Sequence, residues 1–148
     1  MIYFDTSYLV RLYYQDADWE KVRRLAAQDN VACAWHGQAE LLAAFHRKLR
    51  DKDILPAHYK ALIDQFAADD RGGAFHWLPL AQETLARVSG VYRSLPGGVF
   101  LRGADALHLA AAACQGFKVI YSHDKHLLSA ATHFGLEGRD IVTRTGET

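Results

Sequence analysis

Short apolar runs alternate with longer segments of helical periodicity, and this alternation restricts the fold more than any other feature of the chain. Strand-like runs cover residues 1–5, 31–35, 75–80, 118–122 and, as a short last strand, 141–143. Between them, apolar residues recur every three or four positions, as in amphipathic helices. Strands that alternate with helices predict parallel βαβ units with right-handed crossovers. We therefore expect a doubly wound α/β fold with a five-stranded parallel sheet.

Length and composition predict one domain over residues 1–148. A chain of 148 residues, 50% of them hydrophobic, is large enough for a single core. The sequence contains no internal repeat, low-complexity tract or linker-like stretch. The 17 basic and 17 acidic residues give a net charge of zero. This balance argues mildly against a binder driven by charge alone, but it does not exclude nucleic acid as a partner.

The N-terminus and the lengths of the apolar runs indicate where in the cell the protein is expected. No signal peptide precedes the first strand-like run, and no apolar run approaches the roughly 20 residues that a membrane-spanning helix needs. We therefore expect a cytoplasmic protein with no membrane partner.

Acidic residues stand just beyond apolar runs or at the start of a helix-like run. They are Asp5, Glu40, Asp105 and Asp124. The carboxyl ends of the strands in an open α/β sheet border one shared crevice. Carboxylates gathered there repel each other and resist desolvation, so a positive charge normally lies among them. Because an all-oxygen cluster suits Mg²⁺ or Mn²⁺, the four acids predict a site for a divalent metal ion.

Each acid also has a purely structural interpretation. Asp5 is followed by the hydroxyl residues Thr6 and Ser7 and caps the next helix in that interpretation. Asp105 and Asp124 likewise stand where a helix starts, a position that favours an anion. Glu40, in turn, is interpreted as an ordinary solvated glutamate. These alternatives stay open for each acid taken alone.

Two residues share a helix face with Asp105. Arg102 lies one turn before it and pairs with Asp105 as a simple salt bridge, or approaches a substrate phosphate. His108 lies three residues after it. We interpret His108 first as a core histidine that is hydrogen-bonded to the backbone, with a role as metal ligand or base as the alternative.

Other motifs narrow the function. The chain has no Gly-x-Gly-x-x-Gly, Walker A, Gly-x-Ser-x-Gly or Cys-x-x-Cys pattern, which argues against nucleotide-fold dehydrogenases, P-loop enzymes, typical serine hydrolases and thiol oxidoreductases. None of the eight histidines forms a His-x-x-x-His pair, which argues against a zinc enzyme. The basic run 47–52, together with Arg11, Arg23 and Arg24, offers contacts for a phosphate backbone, although a solvated helix end also explains the run.

Four segments around the acids resemble the motifs of one family, the PIN-domain ribonucleases, and within it the VapC-type toxins of bacterial toxin–antitoxin pairs. The segments are 2–10, 38–44, 101–110 and 122–128, and their order and spacing together are specific. A threonine or alanine more often occupies the place of His123. The resemblance runs along nearly the whole chain.

The resemblance implies a Mg²⁺- or Mn²⁺-dependent endoribonuclease whose parallel sheet lies between helices. Its metal ligands and catalytic residues would be Asp5, Glu40, Asp105 and Asp124, and Ser7 (or Thr6) would hydrogen-bond a carboxylate or a metal-bound water. The implied partners are an RNA substrate, a small cognate antitoxin protein and a second copy of the chain in a homodimer.

Three other interpretations remain. One is a phosphotransfer enzyme or receiver: haloacid-dehalogenase-like enzymes need a second Asp two residues after the first, where this chain has Ser7, and receivers usually have an acidic pair that this N-terminus lacks. A non-catalytic PIN-like interaction module would need an apolar groove, which four residues near the N-terminal helices could supply, although a core position is favoured for them: Leu12, Tyr13, Tyr14 and Trp19. The third is a PIN nuclease in RNA processing outside toxin–antitoxin systems.

Overall fold

Parallel strands and helices alternate along residues 1–144, the part of the chain that this computed structural model describes. The strands are β1 (Ile2–Tyr3), β2 (Val31–Ala34), β3 (Phe75–Leu78), β4 (Val119–Tyr121) and β5 (Glu137–Arg139). The α-helices are α1 (Thr6–Val10), α2 (Trp19–Ala26), α3 (Gly37–Arg50), α4 (Pro56–Arg71), α5 (Gln82–Ser94), α6 (Gly103–Cys114) and α7 (Lys125–Ala130), and a 3-10 helix follows at Ala131–Phe134. The α/β class predicted from the sequence is confirmed. None of these helices is long and apolar enough to cross a membrane.

The strands form two parallel sheets. One has the order β1-β2-β3 and the other pairs β4 with β5. Within residues 1–144, a single parallel bridge between Phe4 and Tyr121 joins them, and the Asp5 amide donates to the Tyr121 carbonyl over 3.1 Å. The expected five-stranded sheet therefore appears as three strands plus two. The reason is the length of β1, because the chain turns into α1 at Thr6 and leaves little backbone to pair with β4.

The strand predicted at 141–143 is wrong, since the last strand, β5, lies at Glu137–Arg139. The amide of Ile141 donates to the Tyr8 hydroxyl and that of Thr143 donates to Asp18. Backbone donors that are bound to side-chain oxygens cannot join a ladder. Apolar patterning misses β5 because its outer residues are charged and exposed.

Helices cover both faces of the strands, as parallel sheets require. Side chains alternate along β1 and β2, so that Tyr3 and Ala32 face a core cluster containing α5, α6 and α7, whereas Phe4 and Cys33 face one containing α1 to α4. Helix α6 is rich in alanine, and residues 109–112 are fully buried. Its small side chains let the helix lie close to the strands, which carries the N-terminus of α6 to the carboxyl ends of β1 and β2.

The apolar residues considered as a docking groove are half-buried. Leu12, Tyr13 and Tyr14 pack against the second core cluster, and the ring of Tyr13 makes an edge contact with Phe45. Trp19 instead carries the Arg23 guanidinium over its ring, 4.3 Å from the centroid. Packing within the fold therefore accounts for Leu12, Tyr13 and Tyr14.

Candidate active site

Four helices point their N-termini at one cavity of about 850 Å³, and each brings one of the predicted acids to it. Asp5 is the N-cap of α1 and Asp124 is the N-cap of α7, while Glu40 and Asp105 lie in the first turns of α3 and α6. The N-terminal end of a helix carries a partial positive charge. This arrangement therefore tolerates a concentration of carboxylates that would otherwise be costly.

Asp5 is buried and bound by neutral donors. Its Oδ1 atom accepts from Ser7 Oγ at 2.6 Å and from the Tyr8 amide at 3.2 Å, and its Oδ2 atom accepts from Ser122 Oγ at 2.6 Å. Burial raises the pKa of Asp5, although the His108 charge and these hydrogen bonds oppose the rise. A nearby cation would offset the cost of keeping this carboxylate ionised. The capping role and a ligand role are thus compatible for Asp5.

Ser122, which the sequence analysis did not single out, links two of the acids. Its hydroxyl donates to Asp5 and accepts from the Asp124 amide at 2.9 Å. A second link runs from the His123 amide to Ser7 Oγ, also at 2.9 Å. The sequence does contain a signal for Ser122, because it is a hydroxyl residue that directly follows a strand and precedes an acid by two positions.

Arg102 bridges Asp105 and Asp124. Its Nε atom donates to Asp105 Oδ2 at 3.0 Å, and its Nη2 atom donates to Asp124 Oδ2 at 2.6 Å. The other Asp124 oxygen accepts from the His126 amide and caps α7. The pairing of Arg102 with Asp105 agrees with the sequence interpretation. Because the Arg102 side chain is 58% exposed, it is free to leave when another cation or a phosphate arrives.

Glu40 is held by three side chains and is not a freely solvated glutamate. Its Oε1 atom accepts from Thr6 Oγ1 at 2.9 Å and from His108 Nε2, and lies 3.5 Å from His36 Nε2. Burial raises the pKa of Glu40, but the hydrogen bond and charge of His108 lower it more, and the net value is about 2. Glu40 is therefore ionised over the physiological range.

His108 is buried, as expected of a core histidine, but the predicted backbone hydrogen bond is wrong. Its Nδ1 atom lies 2.7 Å from the Tyr3 hydroxyl, and that hydroxyl already accepts from the Ala34 amide at 3.0 Å. The Nε2 atom donates to Glu40, because a carboxylate oxygen can only accept. A buried chain of hydrogen bonds thus fixes the orientation of both His108 and Glu40.

His36 lies beside Glu40 and His108 and was not predicted from the sequence. It precedes Glu40 by four residues, its ring lies 4.3 Å from that of His108, and its Nε2 atom is 2.9 Å from the Ala104 carbonyl. Within residues 1–144 its buried Nδ1 atom has no hydrogen-bond partner. Burial and the neighbouring His108 lower the pKa of His36. The i, i+4 spacing to Glu40 was the signal available in the sequence.

Basic residues from α3 form one wall of the same cavity. Arg47, Lys48 and Arg50 line it, with Lys48 paired to Asp16 at 3.2 Å. Arg11, considered as a phosphate contact, instead donates to the carbonyls of Ser7 and Ala17 and is 7% exposed. The wall formed by α3 therefore offers a polyanion more positive charge than Arg11 does.

Comparisons with solved structures show the same fold in three crystal structures. The chain matches a chain of FitAcB from Neisseria gonorrhoeae with a TM-score of 0.71 and 15% identity, covering 93% of this chain and 96% of that one. VapC20 from Mycobacterium tuberculosis, described as a Sarcin-Ricin loop cleaving toxin, matches with a TM-score of 0.66 and 18% identity. The match covers 88% of this chain and 95% of that one. A chain of VapBC2 from Rickettsia felis, bound to a DNA fragment from its promoter, matches with a TM-score of 0.65 and 14% identity. The match covers 95% of this chain and 98% of that one.

Sequence comparison supplies the family. No curated protein matches the chain. The family model of the PIN domain, in contrast, matches residues 2–132 and so spans all four acids and the cavity that they line. On that match, and with a fold shared by the three crystal structures, this chain belongs to the PIN domain family.

Proposed function

We propose that this chain is a Mg²⁺- or Mn²⁺-dependent endoribonuclease and the toxin of a toxin–antitoxin pair. The observation that carries the proposal is the convergence of Asp5, Glu40, Asp105 and Asp124 on one cavity of a PIN domain. The similarity in fold to VapC20, a Sarcin-Ricin loop cleaving toxin, supports RNA as the substrate.

The donor set fits a hard divalent cation. The four acids offer only oxygen atoms, which Mg²⁺ and Mn²⁺ prefer. Asp5 is buried among neutral donors, and Arg102 already places a positive charge between Asp105 and Asp124. Both observations indicate that this end of the cavity favours a cation. The four acids would hold the ion, directly or through water.

The bound ion would supply positive charge to the scissile phosphate and lower the pKa of a water molecule. The chain's own groups orient the carboxylates: Ser7 and Ser122 fix Asp5, and Thr6 and His108 fix Glu40. Arg102 is placed to transfer its hydrogen bonds from the acids to a phosphate oxygen. Hydrolysis adds water to phosphorus and breaks the bond to the leaving ribose oxygen. The basic wall of the cavity would hold the RNA backbone.

The test is cleavage of RNA by the purified chain with Mg²⁺ or Mn²⁺, with EDTA as the metal-free control. We expect Asp5→Ala and Asp105→Ala to reduce cleavage to the level seen in EDTA. Asp64→Asn is the matched control, because Asp64 is an exposed aspartate on α4 that does not line the cavity. Equal cleavage by wild type and the two alanine variants would refute the assignment.

Folding of these variants is measured alongside. Because burial raises the pKa of Asp5, the ionised carboxylate opposes folding when no metal is bound. We therefore expect the isosteric Asp5→Asn to unfold in EDTA at a temperature equal to or above that of wild type. Loss of cleavage in that variant would then not reflect loss of fold.

The partner proposals rest on family resemblance and on the complexes of similar fold. On the family resemblance and on the similarity in fold to VapBC2, we propose that this chain has a small antitoxin protein as its partner. Co-expression with the product of an adjacent small gene tests this: the two proteins should co-purify, and the complex should cleave RNA more slowly than the free chain. We also propose a cytoplasmic homodimer, which light scattering would measure as twice the 16.6 kDa chain mass.

A further inference from the structure

A second donor set, richer in nitrogen, overlaps the four acids at Glu40. It consists of His36, Glu40 and His108, and one ligand atom from each lies within 4.8 Å of the others. His36 and Glu40 are one turn apart at the start of α3, whereas His108 comes from α6. We propose that these three residues form a binding site for a borderline transition-metal ion such as Zn²⁺, and that this site shares only Glu40 with the all-oxygen site.

The spacing suits such an ion. Zn²⁺ bonds of about 2.0–2.1 Å place tetrahedral ligand atoms about 3.3 Å apart. His36 Nε2 and Glu40 Oε1 are 3.5 Å apart. His108 Nε2 and Glu40 Oε1 are closer, in a direct hydrogen bond, and separate when an ion replaces the shared proton. Two imidazoles and one carboxylate form a set that Zn²⁺ uses in proteins, with the remaining positions open to water.

The surroundings support the ligands. His108 is oriented through Nδ1 by Tyr3, and Glu40 is oriented by Thr6. Partners of this kind fix ligand direction and strengthen metal binding. The buried Nδ1 atom of His36 lacks a partner within residues 1–144, so it can carry the ring proton when Nε2 exchanges the Ala104 carbonyl for the ion. Both Glu40 and His108 line the open cavity, which gives an ion access.

Glu40 belongs to both donor sets, so the two sites compete for one carboxylate. Imidazole favours Zn²⁺, Ni²⁺ and Cu²⁺, whereas carboxylate and water favour Mg²⁺ and Mn²⁺. Zn²⁺ held by the two histidines would draw Glu40 away from the other acids. Inhibition of RNA cleavage by Zn²⁺ would follow, and this consequence alone rests on the function proposed above.

Binding is tested without RNA. The full chain, freed of metal with EDTA and dialysed, is titrated calorimetrically with Zn²⁺ and separately with Mg²⁺. Variants are His36→Gln, in which glutamine can still reach the Ala104 carbonyl, and His108→Gln. His46→Gln is the matched control, because His46 also lies on α3 and lines the cavity but is outside the donor set. Circular dichroism establishes that each variant is folded.

We expect His36→Gln to weaken Zn²⁺ binding by about 100-fold or more, since even loss of an outer partner costs about 10- to 100-fold. Its Mg²⁺ affinity should stay within about twofold of wild type, as should the Zn²⁺ affinity of His46→Gln. Co²⁺ should give a visible absorption band in wild type that is absent in His36→Gln. Zn²⁺ affinity unchanged in His36→Gln, or lowered equally in His46→Gln, would overturn the site. Because no step uses RNA, a failed nuclease assay leaves this result intact.

Discussion

Arg102 donates a hydrogen bond to Asp124 over 2.6 Å, across 22 positions of sequence, while it also binds Asp105. The guanidinium thus occupies the place where the proposed metal ion needs two carboxylates. Because the Arg102 side chain is mostly exposed, the contribution of these ion pairs to stability is at most about 1 kcal/mol. We expect Arg102→Met to strengthen Mg²⁺ binding by up to about fivefold, measured by calorimetry, and to lower the melting temperature in EDTA.

The matched control for that change is Arg139→Met. Arg139 also pairs with an acid, Glu137, but lies on β5 outside the cavity. Its Mg²⁺ affinity should equal that of wild type. Weaker Mg²⁺ binding in Arg102→Met would mean that the guanidinium assists the ion and does not compete with it.

Ser122 is expected to matter for stability as well as for the site. Its buried hydroxyl serves Asp5 and the Asp124 amide together, so Ser122→Ala leaves a buried carboxylate oxygen short of a donor. Such a loss costs about 1–3 kcal/mol. Urea denaturation measures the change. Ser129→Ala is the control, because that exposed hydroxyl bonds only a helix carbonyl, and a shift beyond about 0.5 kcal/mol is not expected there. Equal losses would show that Ser122 plays no special part.

Glu40 gives a pH-dependent prediction. Its pKa falls from an ordinary value of 4.5 to about 2 on folding. A carboxyl with a lowered pKa contributes stability above its unfolded pKa and loses it as the pH falls through the folded value. The stability difference between wild type and Glu40→Gln should therefore be full near neutral pH and shrink between about pH 4.5 and 2. Denaturation at a series of pH values in EDTA measures this difference.

The same experiment in a His108→Gln background identifies the cause. His108 is the neighbour that lowers the pKa of Glu40 most, so the pH dependence of the Glu40→Gln difference should be smaller there. A difference that stays constant from neutral pH to pH 2 in the wild-type background would contradict the assignment of this hydrogen bond.

Two glycines in helices should respond oppositely to alanine. A Cβ atom on Gly37 would overlap Cys33 Sγ and lie 3.6 Å from His108 Cε1, whereas at Gly90 nothing lies within 4 Å. We expect Gly37→Ala to lower the free energy of unfolding by about 1–3 kcal/mol through overpacking. Gly90→Ala should raise it by about 0.5–1 kcal/mol, because alanine favours the helix. Urea denaturation of both variants measures these changes in the free energy of unfolding. A Gly37→Ala variant more stable than wild type would show that the start of α3 is loosely packed.

Much of the fold was predictable because buried strands and helices leave apolar runs or apolar periodicity in the sequence. The buried strand β2 and the alanine-rich helix α6 both appear as apolar runs, with Glu40 shortly after the strand and Asp105 at the start of the helix. Those acids could be placed together by topology alone, since parallel strands end at the same edge. The edge strand β5 has no apolar pattern in the sequence, because Glu137 and Arg139 face solvent.

The histidines of the cavity could not be placed in the same way. His108 has the spacing of a residue that shares a face with Asp105, but its partners Tyr3 and Glu40 come from distant parts of the chain. A search for two histidines one turn apart also passes over His36, whose helical neighbour is Glu40. Sequence spacing reports contacts within one helix, whereas this donor set is assembled between α3 and α6.

The single bridge between Phe4 and Tyr121 has a consequence for the acids. Asp5 follows β1 on one side of that junction and Asp124 follows β4 on the other, and hydrogen bonds from Ser122 and to Ser7 cross it. Sliding of β4 and β5 against the other three strands would change the distance between Asp5 and Asp124 while leaving every longer ladder paired. The alignment of the two sheets therefore sets the distance between the two carboxylates that would bind a cation.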